Sequence, residues 1–363
     1  MNAHGSAHRH LIERIVDARR TAASLDIQGG GTKGFYGNAR RGDLLDVRAL
    51  AGITAYEPTE LFVTALAGTP LVELERELAS RGQCLPFEPP RFAPSGTVGG
   101  MVAAGLSGPA RASTGPLRDY VLGATVLNGV GELLTFGGQV MKNVAGYDLS
   151  RVFAGSMGIL GVICEVSFKV MPVLPATATL RFDIDDAGAL LQLNRWGAEM
   201  PITASAWYRS ELTVRLAGAT AAVRVAQRRA GGRDLDPYAA DSWWSDIRDH
   251  RHPFFAIGDA QLARGECLWR ISVPATAPPL ALAAEQFMEW HGAQRWLRSS
   301  EPAGQIRSAA AAVGGHATLV RAADKSSGAF DAISPALMNI HRRMKQSFDP
   351  AGIFNPGRLY AEL

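Results

Sequence analysis

Cysteine is scarce and nowhere paired. Cys84, Cys164 and Cys267 lie far apart, with no C-x-x-C or C-x-x-H spacing. That excludes an iron–sulfur cluster or a zinc site built on a local motif. Cys164 and Cys267 fall in apolar, strand-like runs, which reads as buried free thiol in a reducing cytoplasm. Neither sign of charge is in excess: the formal net charge is +3, and no basic cluster is interleaved with aromatics. A nucleic-acid partner is therefore not expected. No apolar run reaches the roughly 20 residues of a membrane span, because Glu165 and Lys169 interrupt the best one. The N-terminal stretch lacks the charged-then-apolar order of a signal peptide. Its His4, His8 and His10 read as part of a frayed terminus, with metal binding by proximity the alternative. Tryptophan is missing from the first 195 residues; all seven fall between Trp196 and Trp296.

Glycine, by contrast, is concentrated. Residues 94–161 hold 15 of the chain's 39 glycines, about three times the usual share of roughly 7%. The stretch is not a linker, since apolar runs at Tyr120–Leu127 and Ile159–Val166 alternate with the glycines and read as buried strands. Glycine lets a backbone approach a ligand or take positive φ. Residues 94–161 therefore read as a packed core whose loops run against a ligand.

The rest of the chain is of ordinary composition. Leu11–Ala22 reads as an amphipathic helix, Leu25–Ile27 and Leu44–Val47 as strands, and Gly52–Pro58 as a strand leading to a helix capped by Thr59. Thr69–Arg81 reads as a helix ended by Gly82. Beyond a boundary near Val173 the pattern is strand Ala178–Ile184, helix Ala187–Ala198, a hairpin over Ala204–Leu216 turning near Ser210, and helix Ala219–Ala230. Then come strand Cys267–Pro274, helix Pro279–Trp290, strand Gln294–Ser299, helix Ala303–Val313 and strand His316–Arg321. Two β-α-β-β-α-β-like sets imply a sheet covered by helices. Ser334–Phe348 reads as a last helix, followed by a rigid Pro/Gly-spaced turn.

Two segments carry the chemistry of anion binding. Gly29-Gly30-Gly31-Thr32 would expose successive backbone N–H groups, a nest for phosphate oxygens, although a plain hairpin turn fits the triplet equally well. It has neither the G-x-G-x-x-G order of a dinucleotide fold nor the P-loop spacing. Ser95-Gly96-Thr97-Val98-Gly99-Gly100 repeats the pattern ahead of an apolar stretch, Met101–Ala104, that can start a helix. Two such nests suit a pyrophosphate; two accidental turns are the alternative. Lys142–Leu149 is polar on a short period, with Asp148 a candidate cap. Gly314-Gly315-His316 holds the only histidine preceded by glycine, which reads as structural. No Ser/His/Asp or H-E-x-x-H arrangement is present.

Thr97-Val98-Gly99-Gly100, Asp119–Gly123, Lys142 with Gly146–Leu149, Gly155–Ile163 and the closing Asp349–Gly357 follow in an order and spacing that resembles a known family. It is the FAD-binding domain of the vanillyl-alcohol oxidase or PCMH type, in its 2-hydroxy-acid dehydrogenase branch. The likeness spans roughly residues 25–172 and 335–358. SGPARASTGPLRDYVLG and MKNVAGYDLSR are most similar to FAD-binding subunits of glycolate oxidases. The resemblance implies an α+β chain. Residues 1–172 would form a two-subdomain PCMH-type domain, 173–333 an α+β, ferredoxin-like cap, and 334–363 a segment returning to the FAD domain.

The resemblance also implies a site. Gly29, Gly30, Gly31, Thr32 and Lys33, with Ser95, Gly96, Thr97, Gly99 and Gly100, would hold the FAD pyrophosphate. Gly105, Ser107, Gly108, Arg111, Gly115 and Asp119 would pass the flavin and its ribityl chain. Gly158, Gly161, Val162 and Ile163 would lie at the adenine end, and Asn355 would return to the ring. Gly31 stands where covalent members often have His, which implies non-covalent FAD. Thr114-Gly115 replaces the usual Tyr-Gly pair. The H-x-G-D-G-x-x-H motif of catalytic relatives is reduced to His316-Ala317-Thr318-Leu319, so no catalytic residue is assigned.

The implied role is an FAD subunit of a complex oxidising glycolate to glyoxylate. A sister FAD subunit would hold the substrate base and an iron–sulfur subunit would take electrons onward. The complex would be cytoplasmic, peripheral on the inner membrane face only through partners. The alternatives are a self-sufficient FAD-dependent dehydrogenase of another 2-hydroxy acid, and an assembly subunit whose FAD is structural. Trp243-Trp244, beside Asp246, Arg248 and Asp249, reads as an interface hot spot or as core.

Overall fold

The computed structural model describes residues 3–138 and 149–363. Helix α1 (Ala3–Thr21) begins earlier than its apolar face indicates, so the expectation of a frayed terminus fails from residue 3 onward. Leu11, Ile15 and Ala18 share one buried face. Once that turn-spaced face is packed, propagation through the polar residues ahead of it adds a hydrogen bond per residue fixed. Strands β1 (Leu25–Gln28) and β2 (Asp43–Asp46) pair in parallel.

β3 (Ile53–Glu57) and β4 (Phe62–Leu66) form a hairpin, not the strand and helix expected. A single 3₁₀ turn, Pro58–Glu60, is followed by Leu61 at φ 55°, which reverses the chain. Every residue of β4 is buried. A short continuous apolar run of this kind carries no period that separates strand from helix. Helix α2 (Leu71–Ser80), β5 (Gln83–Cys84), α3 (Val98–Ala104), α4 (Arg111–Thr114), β6 (Val121–Leu127), β7 (Leu133–Gly137), β8 (Val162–Lys169) and β9 (Met171–Pro172) complete this half. Five antiparallel strands lie in the order β3-β4-β8-β6-β7. Leu71, Leu74 and Leu78 of α2 and Met101 and Val102 of α3 pack on Val63, Val166 and Phe168 of the sheet. Lys142–Asp148, including the candidate cap Asp148, lies outside the described residues.

The second half is β10 (Ala176–Asp183), α5 (Asp186–Trp196), β11 (Ile202–Tyr208), β12 (Glu211–Gly218), α6 (Thr220–Ala230), β13 (Arg233–Asp234), α7 (Pro237–Arg248), α8 (Asp259–Ala263), β14 (Cys267–Ser272), β15 (Glu285–Glu289), β16 (Gln294–Ser299), α9 (Ala303–Ala312) and β17 (His316–Arg321). It builds one eight-stranded sheet in the order β13-β10-β12-β11-β15-β16-β14-β17. Each four-strand set has the ferredoxin-like order, and the two join edge to edge through β11 and β15. The β11–β12 hairpin turns on Arg209 and Ser210, both at positive φ.

The second set lacks its first helix. The helix expected over Pro279–Trp290 is replaced by an irregular segment and β15. Pro274, Pro278 and Pro279 remove donors and disfavour helical geometry in the residues before them. Fully buried Arg295 completes the segment: its guanidinium donates to the carbonyls of Ala277 and Pro278, both at 2.6 Å, and of Gly292 at 2.9 Å. Helix α7, which the sequence pattern did not reveal, carries Trp243 and Trp244. Trp244 is core, buried with its indole N–H donating to Thr179 Oγ1 at 3.0 Å. Trp243 is half-buried, edge-on to His252. The neighbouring charges are turned inward: Asp249 is buried, bonded by Arg248 and Arg251 and by the N–H of Arg91.

Helix α10 (Pro335–Phe348) leads the chain back to its start. Leu25 N–H donates to Ile353 C=O at 2.7 Å, and Asn355 N–H donates to Leu25 C=O at 2.9 Å. Lys345 and Asp349, both buried, hold this return. The ammonium donates to Ile159 C=O, Phe354 C=O and Asp349 Oδ2, and the carboxylate accepts from the N–H of Ile353 and Phe354.

Two outcomes follow. Lys345→Met strands a buried carboxylate and is expected to cost about 3–5 kcal/mol in denaturant unfolding; an unchanged midpoint would show that the pair is dispensable. Burial pushes the Glu289 carboxyl up to about 7, against donation from Trp296 and Gln294. Its folded value is above its unfolded one, so its contribution is full below the usual carboxylate range and is lost as pH rises through 7. Glu289→Gln should flatten the fall in thermal stability between pH 5 and 8; parallel pH profiles for the two proteins would refute this.

Candidate functional site

The loop after β1 and the loop before α3 meet backbone to backbone. A Cβ on Gly30 would stand 1.5 Å from the Ser95 carbonyl oxygen, and one on Gly29 would stand 2.2 Å from Thr97 Oγ1. Gly31 has φ +69°. Ser95 Oγ donates to Gly30 C=O at 3.2 Å. Thr97 caps α3, its hydroxyl oxygen accepting from Gly100 N–H at 3.3 Å. Gly99 lies against Ala67, which a Cβ would meet at 2.7 Å. The glycines thus serve two needs at once: they let the loops close on each other, and they leave bare backbone facing a cleft.

The opposite wall comes from the 157–163 turn and the returning C-terminal segment. Asn355, at φ 42°, donates through Nδ2 to Met157 C=O at 2.7 Å and accepts at Oδ1 from Ile27 N–H at 2.8 Å. Gly158 has no room for a side chain beside that amide, which a Cβ would approach to 2.6 Å. Gly158, Gly161 and Ile163 line the cleft. Val162 does not: strand alternation sends its side chain into the core with Leu127 and Leu45.

The cleft is rich in cations. Among the described residues the Lys33 ammonium has only Thr32 Oγ1, at 3.4 Å, as a hydrogen-bond partner, and burial pushes it down to about 8. Arg358 donates to the carbonyls of Asn38 and Gly34, and burial, with Arg40 nearby, lowers it to about 10. Arg40 is paired with Asp26. An anion in the cleft would relieve the desolvated Lys33 and Arg358. Arg40, Met157 and Arg358 line the cleft and were not anticipated. The turn around Asn355 pointed to the last of these; nothing in the local sequence marked the first.

The predicted residues divide. Gly29–Lys33, Thr97, Gly99, Gly100, Gly158, Gly161, Ile163 and Asn355 line one cleft. Ser95 and Gly96 stand behind the glycine loop. Gly105 packs on Gly155, which a Cβ would meet at 2.8 Å. Ser107 accepts the Leu117 N–H at 3.1 Å, and Gly108 C=O accepts from Trp290 Nε1 at 3.0 Å. Arg111 lies over the Trp290 ring, and Gly115 lies beside Asp119. Residues 105–119 therefore run from the cleft toward the seam with the eight-stranded sheet. Lys325, from beyond β17, ties that sheet to the glycine loop, donating to the carbonyls of Phe35, Gly37 and Val320. His316 is an exposed residue at the start of β17.

Comparison with known proteins agrees with this geometry. The FAD binding domain family matches residues 6–137, and the family of FAD linked oxidases, C-terminal domain, matches residues 324–359. The chain is 44% identical over 354 residues to glycolate oxidase subunit GlcE of Escherichia coli, covering 97% of each. It is 34% identical over 128 residues to glycolate oxidase subunit GlcD of Bacillus subtilis, covering 35% of this chain and 27% of that one. Alkyldihydroxyacetonephosphate synthase superposes with a TM-score of 0.65 at 15% identity, over 96% of this chain and 75% of that structure. The architecture is the PCMH-type FAD-binding fold.

Gly30→Ala meets backbone, not a movable side chain, and is expected to cost at least the ~1–3 kcal/mol of an overpacked site. Gly34→Ala, with no neighbour closer than 3.6 Å, should be tolerated. Comparing the flavin content of the two purified variants checks this; equal content would mean that the loop contact does not build the cleft.

Proposed function

The chain belongs to the family of FAD-binding glycolate oxidase subunits, and from that premise we propose how it takes part in oxidising a 2-hydroxy acid. It is an FAD-dependent oxidoreductase component, and the two glycine loops converging on one cation-rich cleft are the observation that carries the reading. Bound FAD supplies the acceptor for hydride from the carbon bearing the substrate hydroxyl. The chain's own residues bind and orient it. The backbone N–H groups of Gly29–Lys33 and Thr97–Gly100 take the pyrophosphate, with Lys33 and Arg358 neutralising its charge. Gly158, Gly161 and Ile163 take the adenine end. Residues 105–119 direct the ribityl chain and ring toward the seam. Gly31 offers no nucleophile, so the cofactor is held without a covalent link.

The relative's name calls it a subunit, and a multisubunit complex is the setting of this chain too. We place a sister flavin subunit and an iron–sulfur subunit beside it. The histidine pair of catalytic relatives is absent from the sequence, and no Cys pair is spaced to hold a cluster. Among the described residues no helix is long and apolar enough to cross a membrane; contact with the inner membrane face would come through partners.

Acid precipitation of the purified chain should release all yellow colour as FAD. Flavin in the pellet would sink the non-covalent assignment, and FMN in the supernatant would sink the cofactor. Gly100→Asp, which sets a carboxylate in the cleft, should yield folded but flavin-poor protein. Glycolate-dependent dye reduction should be negligible for the chain alone and restored by the two partner subunits. Turnover by the isolated chain at the rate of the complex would mean that it carries its own base.

A further inference from the structure

The loop from Lys33 to Asn38 has its carbonyls gathered on two cations. Arg358, which is buried, donates to the carbonyls of Lys33, Gly34 and Asn38. Lys325, from the segment beyond β17, donates to those of Phe35 and Gly37, and its third bond goes to Val320 C=O within β17. Five of the six carbonyls from Lys33 to Asn38 are thus taken up by one guanidinium and one ammonium. Asn38 adds neutral ties to the same two segments. Its Oδ1 accepts from Ala329 N–H at 2.7 Å, and its Nδ2 donates to Gly357 C=O at 2.9 Å.

The arrangement has an electrostatic consequence. Each carbonyl is the negative end of a peptide dipole, and the cleft beside this loop is built for an anion. A carbonyl bonded to a cation is screened and is not free to swing toward the cleft. Lys33, Gly34 and Arg358 line the cleft, whereas Lys325 stands one step behind it. Lys325 is also crowded by like charge: burial first, then Arg358 and Arg321, push its ammonium down to about 8. An anion in the cleft, beside Arg358, would offset that repulsion. Each of the two therefore favours the other, through Arg358 and through the loop they share.

We propose that Lys325 is a positioning residue for the cofactor: it holds the 33–38 loop in its binding form and so makes docking of the eight-stranded sheet a condition of tight FAD binding. The inference rests on the reading of the cleft as the FAD site. Coupling of this kind is reciprocal. FAD in turn holds the sheet's 322–330 segment, none of which lines the cleft. A Lys325 that served only as a structural tie would lower stability equally with and without flavin.

The test is FAD titration of the flavin-stripped full chain, followed by thermal unfolding and hydrogen exchange, in wild type, Lys325→Met and Lys325→Arg. Lys325→Met should bind FAD about tenfold or more weakly and show a smaller rise of the unfolding midpoint on adding FAD. Lys325→Arg keeps the charge and should bind more tightly than Lys325→Met. In the wild type, FAD should slow exchange at residues 322–330, and in Lys325→Met it should do so less. Equal FAD affinity in wild type and Lys325→Met, or a midpoint lowered by the same amount with and without FAD, would overturn the proposal. If Lys325→Met does not fold, wild-type exchange decides, and protection by FAD confined to the cleft overturns it. A wild-type chain that takes up no FAD would sink the cofactor reading itself, a result distinct from an FAD-binding chain indifferent to Lys325.

Discussion

The structure depends on one steric constraint: two loops from different parts of the chain must touch through their backbones. The contact of Gly30 with the Ser95 carbonyl leaves no room for even a methyl group. It sets the distance between β1 and α3, and so the width of the cleft. The five-stranded sheet fixes one partner through α3, whose Gly99 rests on Ala67. The other partner is fixed by β1, which is held from behind by the returning C-terminal segment. Relaxing any of these supports would open the cleft without touching a residue that faces it.

Buried cations are managed in two ways. Lys325 and Lys345 direct their ammonium groups at backbone carbonyls, which joins segments that are remote in sequence. Among the described residues the Lys33 ammonium has no such saturation, meeting only Thr32 Oγ1. A fully bonded buried charge reads as construction, and an under-bonded one reads as a place for an anion. On that criterion Lys33 marks the cleft as the place for an anion.

Much of the cleft's lining was legible because glycine reports backbone geometry directly. Gly29–Gly31, Gly99 and Gly158 each sit at a positive φ or at a contact that forbids Cβ. Amphipathic helices such as α2 and α6 were legible from period alone. What failed had tertiary causes. β4 is a short apolar run that becomes a strand because β3 and β8 flank it. The segment before β15 is irregular because Arg295 supplies donors from 17 and 18 residues away. Helix α7 and the inward charges of Asp249 and Arg248 could not be read from order along the chain, and Trp244 proved to be core.

The pairing of Leu25 with residues 353–355 also bears on biosynthesis. A nascent chain emerges with its glycine loop long before Asn355, so the cleft lacks this wall until residues 353–355 have been made. Until then the exposed β1 and β2 edge is a surface that chaperones or neighbouring chains can reach. Loss of residues 353–358 would leave nearly all of the secondary structure and an incompletely walled cleft.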